Sequence, residues 1–474
     1  MPLILGSQSA VATGFTVDNS CQFDDDDSVQ LYRAISVGGN RKVWTISMWI
    51  KIGNAVGCRL WAQGATPSQN PATMFELGAS GAMTIFSYTG SYPFLMEPLA
   101  KLKDPNAWYH LVVSFDSTPA TPNSSSIKFF INGTQQTQFS SETYPSQDFE
   151  TEINNTTYDF YVAAYDGGNY FDGYMAEFCL IDGTAYDADS FGQFNEDSPN
   201  IWEPIDPSGL TFGTNGFYLD FEDSTALGAD AAGSNNLTAT NLAAVNQMVD
   251  TPTNNFCVMN RMDNEYAGAA FADGNTTVTQ TAGDYTWNTA SMGLTTGKWY
   301  WEGMGPTNIS SGIIGISPLF STGSTTEITT VNDSISCELG TGAVLKGTTS
   351  QFTGTSYSST DVFAIAMDLD NNKWYIAKNN TWVNSGDPES GATGTGAVAI
   401  TAIASVTQVG KQDAYFPIQS DPSSTLGATL NWNFGNPAYT NTSDAADGNG
   451  YGKFEYAPPS GYYAICTKNL AEFG

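Results

Sequence analysis

One histidine, His110, stands in a chain of 474 residues. A single imidazole excludes most known His-based triads and His-rich metal centres. His110 adjoins Trp108 in an alternating run. It reads as a structural histidine whose nitrogens are satisfied by strand neighbours, with a surface pH sensor as the functional alternative. Retaining glycoside hydrolysis needs two carboxylates about 5–5.5 Å apart, which alternate positions of one strand can supply. Asp220 with Glu222, and Glu150 with Glu152, have that spacing. The first pair has no third acid at the interval such hydrolases use, and Glu150 sits in a polar stretch. No catalytic residue is assigned. Glu222 and Glu177 are the positions whose replacement tests a glycanase.

The densest charge is Asp24-Asp25-Asp26-Asp27. Four adjacent carboxylates repel one another, and Ca2+ with its hard oxygen ligands would relieve them. Consecutive strand side chains point to opposite faces, however, so a solvated turn is the simpler reading. Asp368-Leu369-Asp370-Asn371-Asn372 starts like an EF-hand loop but lacks the glycine and the terminal glutamate, which makes it a hairpin turn. Beyond calcium no cofactor is expected. Sugars are bound by exposed aromatic platforms near amides and carboxylates. Tyr165, Asp166, Asn169 and Tyr170 in a Gly-rich loop, and Tyr88 and Tyr92 around Gly90, are the candidate carbohydrate-binding residues. Tyrosines that merely cover the core edge are the alternative.

Asp plus Glu number 48 against 16 Lys plus Arg, a net charge of -32. Phosphate binding needs clustered cations, so nucleic acid and anionic membranes are poor partners. No apolar stretch is long enough to cross a bilayer, and the run Pro2 to Leu5 is too brief, with no basic residue before it, for a signal segment. The cysteines fall three to each half, Cys21, Cys58 and Cys179, then Cys257, Cys337 and Cys466. An odd number per half argues for buried reduced thiols, as in a protein assembled in a reducing cytoplasm.

The elements that must position these residues are strands. Trp44, Ile46, Met48, Ile50 and Ile52 alternate with Thr45, Ser47, Trp49 and Lys51. Tyr109, Leu111, Val113 and Phe115 alternate likewise, Ile127 to Ile131 ends in the hairpin signal Asn132-Gly133, and Phe217 to Phe221 gives another strand. Later come Gly297 to Glu302, Ile313 to Ile316, Asp361 to Leu369, Trp374 to Ile376 and Ala428 to Phe434, with Tyr462 to Cys466 at the close. Helical periodicity is nearly absent. The pattern predicts an all-β chain of two antiparallel β-sandwiches, residues 1–222 and 256–474. Residues 223–255, poor in large apolar side chains, read as a connector.

Four elements of the first half carry a family likeness: Thr45 to Lys51, Trp108 to Asp116, Phe130-Ile131-Asn132-Gly133, and Tyr170 to Phe178. They resemble the laminin-G, or concanavalin-A-like lectin, superfamily. The second half resembles a SPRY domain through Gly297 to Glu302, Asp361 to Asp370, Lys373 to Asn379 and Leu430 to Gly435. The pairing, with the opening Met1-Pro2-Leu3-Ile4-Leu5-Gly6 and the closing Pro458 to Leu470, resembles structural, tail-fibre-like proteins of tailed phages of marine bacteria. The resemblance implies a jelly-roll lectin-like sandwich followed by a SPRY-like one, in a non-enzymatic virion protein. It would be assembled in the host cytoplasm and displayed on the virion surface. The expected role is a tail fibre or receptor-binding appendage touching host surface glycans. Capsid decoration (a head fibre) and a polysaccharide-degrading glycanase are the alternatives. Expected partners are other virion proteins, the host glycan or receptor, and two further copies in a homotrimer.

Overall fold

The computed structural model describes residues 14–54, 57–66, 68–121, 123–263, 268–280, 287–321, 327–421, 427–437 and 439–474. The opening Met1 to Gly6 lies outside the described residues. The chain divides into two compact units, one spanning Ala12–Lys103 and Ala107–Thr253, the other built mainly from Asn254–Gly474. Both are antiparallel β-sandwiches.

In the first unit, two eight-stranded sheets face each other. The strand Val43–Ile52 runs at the centre of one, antiparallel to Trp108–Asp116 on one side and Gly173–Asp182 on the other. Cys58–Gly64, Ala72–Leu77, Met83–Tyr88 and Phe94–Pro98 meander through the second sheet. Phe160–Val162 and Gln30–Arg33 extend it beyond Cys58–Gly64. The expected apolar face, Trp44 to Ile52, points into the interior and meets Trp61, Phe75, Ile85, Phe94 and Phe160 from the opposite sheet. Trp44 stacks on Phe115 at 5.1 Å and meets Trp61 edge-on at 5.8 Å, offset and edge geometries that suit aromatic quadrupoles.

The other face of Val43–Ile52 is covered as well. Thr45, Ser47, Trp49 and Lys51 are all buried, beneath residues that include Phe191, Phe212, Trp202 and Met248. A strand that alternates apolar with polar residues predicts one wet face. Here the polar positions are instead satisfied by hydrogen bonds: Thr45 Oγ1 donates to the Thr184 carbonyl at 2.9 Å.

Residues 223–253, expected to be part of a connector, belong to this first sandwich. Thr238–Thr240 pairs with Gln30–Arg33 at the edge of one sheet, and Gln247–Met248 pairs with Ser20–Phe23 at the edge of the other. Leu227 and Leu237 enter the core. Small residues suffice at an edge because pairing there depends on backbone groups, which any non-proline residue supplies.

The second unit packs a nine-stranded sheet on a six-stranded one. Lys298–Thr307, Val362–Asp368 and Lys373–Lys378 lie side by side in the larger sheet, with Thr429–Asn433 beyond the first. Ile313–Ser317 lies between Phe416–Ser420 and Ile335–Glu338 in the smaller. Trp299, Trp301, Phe363, Ile365, Met367, Trp374 and Trp432 pack against Ile314, Ile316, Ile335 and Tyr415. The turn after Asp368 is a hairpin in which Asp368 Oδ1 accepts the Asn371 amide at 2.9 Å. A seven-residue α-helix, Thr467–Phe473, follows the short strand Tyr463–Ala464. All six cysteines are buried and unbridged. Among the described residues no helix is long and apolar enough to cross a membrane.

Candidate carbohydrate-binding face

The alternation that sends Phe160, Val162, Trp61, Phe75 and Ile85 inward turns their neighbours outward on the second sheet of the first unit. Cross-strand register aligns Tyr32, Tyr161, Ala62, Met74, Phe86 and Leu95 in one row across five adjacent pairings. They form an apolar cluster of their own, together with Tyr88 and Tyr165, distinct from the interior core.

Two aromatic groups mark the two sides of this row. On one, Tyr161 stacks on Tyr32 at 6.0 Å and meets Tyr165 edge-on at 6.1 Å. On the other, Tyr92 lies 5.6 Å from Phe86 and 5.2 Å from Tyr88. Tyr92 is 49% exposed, whereas Tyr161 and Tyr165 are 9% and 4% exposed. Tyr92 is therefore the ring most open to a ligand, and Tyr165 is mainly a support.

Tyr165 donates its hydroxyl to the Ala65 carbonyl at 2.5 Å, and its amide is bonded to the Gly168 carbonyl at 2.9 Å. This closes a tight loop in which Ala163, Asp166, Gly167 and Asn169 all have positive φ. Asp166 and Asn169 are exposed at the loop tip, and Tyr170 is half-buried. The Tyr161 hydroxyl reaches Asp166 Oδ1 at 3.4 Å. Burial, with Asp166 and Asp159 nearby, pushes the Tyr161 phenol up to about 12. It stays a hydrogen-bond donor at neutral pH. Arg59 lies on the same face, its Nε 3.0 Å from Met74 Sδ and its guanidinium 3.1 Å from Glu76.

The predicted sugar-binding groups around Tyr165 and Tyr88 thus meet on one sheet face. Sequence alone does not single out Tyr32, Tyr161, Phe86, Arg59 or Glu76. The signal for the first two was present, since Tyr32 and Tyr161 are the outward positions of Gln30-Leu31-Tyr32-Arg33 and Phe160-Tyr161-Val162.

The aspartate run does not gather around a point. Asp24 is buried and its Oδ1 accepts the Asp26 amide at 2.9 Å, Asp25 is half-buried, and Asp26 and Asp27 are exposed. Among the described residues no group of three or more His, Cys, Asp or Glu is arranged to hold a metal ion. Asp24, Asp25, Asp26 and Asp27, where calcium was expected, lie at a turn of the chain.

Each carboxylate pair has a local partner of its own. Arg41 holds both Glu150 and Glu152, at 3.1 and 3.2 Å. The Glu222 amide donates to Asp220 Oδ1 at 3.1 Å, as in a turn. Glu177 lies where the pairing with Val43–Ile52 shifts register, with φ 51°. Its buried carboxylate accepts the Tyr218 hydroxyl at 2.6 Å. Burial raises it to about 8; the Tyr218 hydrogen bond opposes this, and Asp220, Glu222 and Asp206 add to it.

His110 is fully enclosed, stacked on Trp49 at 4.8 Å and lying beside Trp202 at 5.9 Å. Trp202 Nε1 donates to Nδ1 at 2.9 Å, and Nε2 lies 2.9 Å from Ser47 Oγ. An indole N–H only donates, so Nδ1 accepts, the ring is neutral, and Nε2 carries the proton. One partner is a strand neighbour and the other comes from the covering segment. The ring is closed to solvent, which removes a surface pH sensor.

Structural likenesses extend to both halves. The chain is similar to the mouse laminin alpha1 chain, domains LG4-5, at 12% identity and TM-score 0.29, over 91% of this chain and 93% of that one. It is similar to the SPRY domain of human HERC1 at 15% identity and TM-score 0.25, over 33% of this chain and 87% of that one. A putative carbohydrate binding protein from Bacteroides ovatus aligns at 15% identity and TM-score 0.33, over 48% of this chain and 60% of that one. No curated protein sequence matches the chain. Residues 23–188 match the laminin-G profile (Laminin_G_3) of the concanavalin A-like lectin/glucanases superfamily, so the first unit carries a sandwich of that lectin-like type.

Proposed function

We propose that the protein binds glycans through the outward tyrosine face of its first sandwich, as a non-enzymatic component of a virus particle. The single observation that carries the binding reading is the convergence of two tyrosine groups, Tyr32 with Tyr161 and Tyr88 with Tyr92, on one sheet face. Aromatic rings offer apolar area at little entropic cost, and nearby Asp166 and Asn169 supply polar contacts. Binding of immobilised glycans by purified protein, compared with Tyr92→Ala, tests it; unchanged binding by the variant defeats it.

The particle assignment is supported by the paired sequence resemblance and by an acidity that suits dispersal in salt. In this reading the protein sits on a tail fibre or similar appendage, docks on other virion proteins and forms a homotrimer. Capsid decoration differs only in the attachment point. Gold-labelled antibody on intact particles separates the two, and native mass measurement tests the trimer.

A glycanase is the second reading, with Glu177, whose carboxyl is raised by burial, as the acid to test. A general acid needs a proton to give. Reducing-sugar release by the wild type that disappears in Glu177→Gln would establish that reading in place of simple binding.

A further inference from the structure

We infer that the tyrosine face takes an uncharged oligosaccharide laid across the strands, in contact with both aromatic groups at once. This rests on the glycan-binding reading above and adds the charge and the length of the ligand.

The charge follows from an inventory of the face. Along the paired strands the charged residues at outward positions are Arg59, Glu76 and Glu97, as the cross-strand register fixes them. Arg59 is the one cation among them. It is 8% exposed and already paired to Glu76 at 3.1 Å. Asp166 and Asp159 act on the Tyr161 hydroxyl from the rim. A sulfated or uronic glycan would bring its anions to an aromatic row whose one guanidinium is occupied and whose rim holds Asp166 and Glu97, the exposed cation Lys101 lying beyond Ala82 at the far end of the face. A neutral sugar meets no such repulsion, and the carboxylates of Asp166 and Glu97 can accept its hydroxyl protons.

The length follows from strand spacing. From Tyr161 the row passes Ala62 and Met74 before it reaches Phe86. Three inter-strand steps separate the two aromatic groups by about 14 Å. Between them Ala62, Ala72 and Met74 are fully buried, with Arg59 lying over Met74. The ring that reaches toward that middle ground is Tyr165, bonded to the Ala65 carbonyl and only 4% exposed, so it offers a sugar little surface. A single sugar can stack at one side only, whereas a chain of several sugars reaches both.

Calorimetric titration of the full chain with neutral gluco-, manno- and galacto-oligosaccharides, from monosaccharide to hexasaccharide, tests both parts. Sulfated and uronic oligosaccharides of matched length form the second arm, each run at low and high salt. The expected result is affinity that climbs with the length of one neutral series and is unchanged by salt. Tyr92→Ala and Tyr32→Ala should each lose about tenfold against the longest ligand, with thermal melting showing that the variants are folded. A monosaccharide that binds as tightly as its hexasaccharide overturns the crossing geometry. Binding confined to the anionic series, and weakened by salt, overturns the charge assignment while glycan binding itself stands. No binding in either arm defeats the glycan-binding reading and this inference with it.

Discussion

Lys51 and Asp250 form an ion pair at 2.6 Å with neither side chain exposed to solvent. Asp250 also accepts the Trp108 indole at 2.9 Å, and its carbonyl accepts the Ser20 hydroxyl at 2.6 Å. A residue far along the chain thereby closes the outer layer over the central strand. Removing one member of such a buried pair strands the other charge, at a cost of about 3–5 kcal/mol. Asp250→Ala should lose that much in urea unfolding, while the double replacement Lys51→Met with Asp250→Leu should lose much less. Equal losses would show that packing, and not charge, is what Asp250 supplies.

The same pair sets where the first domain can be cut. A fragment ending at Glu222 lacks both edge strands of residues 238–248 and leaves Lys51 buried without Asp250. It is expected to aggregate, whereas one ending at Thr253 gives a cooperative melting transition. A well-folded shorter fragment would contradict the edge-strand account.

Burial pushes His110 down to about 3. An unfolded histidine titrates near 6.5, so below that pH the unfolded chain binds a proton that the folded chain refuses. Stability from this group is therefore full above about pH 6.5 and declines as pH falls toward 3. The imidazole proton signals should stay unshifted from pH 8 to pH 5 in NMR titration. His110→Phe strands the Trp202 indole and the Ser47 hydroxyl, costing about 1–3 kcal/mol at pH 7.5. That deficit should shrink near pH 5; a deficit independent of pH would refute the neutral, buried ring.

Glu177 runs in the opposite sense. Its affinity for the proton is raised in the folded state, to about 8, so its contribution is present below about pH 4.5 and is lost as pH rises to 8. Glu177→Gln keeps an acceptor for the Tyr218 hydroxyl without the charge. The variant should be the more stable protein at pH 8, by roughly 1–4 kcal/mol, and the two should converge near pH 4.5. A variant less stable at pH 8 would mean that the carboxylate is ionised there and stabilised by its surroundings.

Much of the architecture was legible because period-two alternation reports directly which residues enter a core. Trp44 to Ile52 and Phe363 to Met367 point where their pattern says. What alternation cannot report is a second covering layer. Thr45, Ser47 and Lys51 look like a wet face because polar residues usually are one, and only the loop carrying Trp202 and the segment carrying Asp250 reveal otherwise. The edge strands Thr238–Thr240 and Gln247–Met248 were illegible for a related reason: their partners are backbone groups, which leave no trace in side-chain composition. At the candidate site, loop chemistry pointed to Tyr88, Tyr92 and Tyr165. Tyr32 is distant from Tyr161 in sequence, and only the pairing of their strands joins them.

Because the tyrosine cluster lies on the far side of its sheet from the interior core, the two sets of residues can vary independently. Tyr92 and Tyr88 can change while Trp44, Trp61 and Phe75 stay fixed. A handful of outward substitutions could therefore remake the chemistry of that face and keep the same folded scaffold.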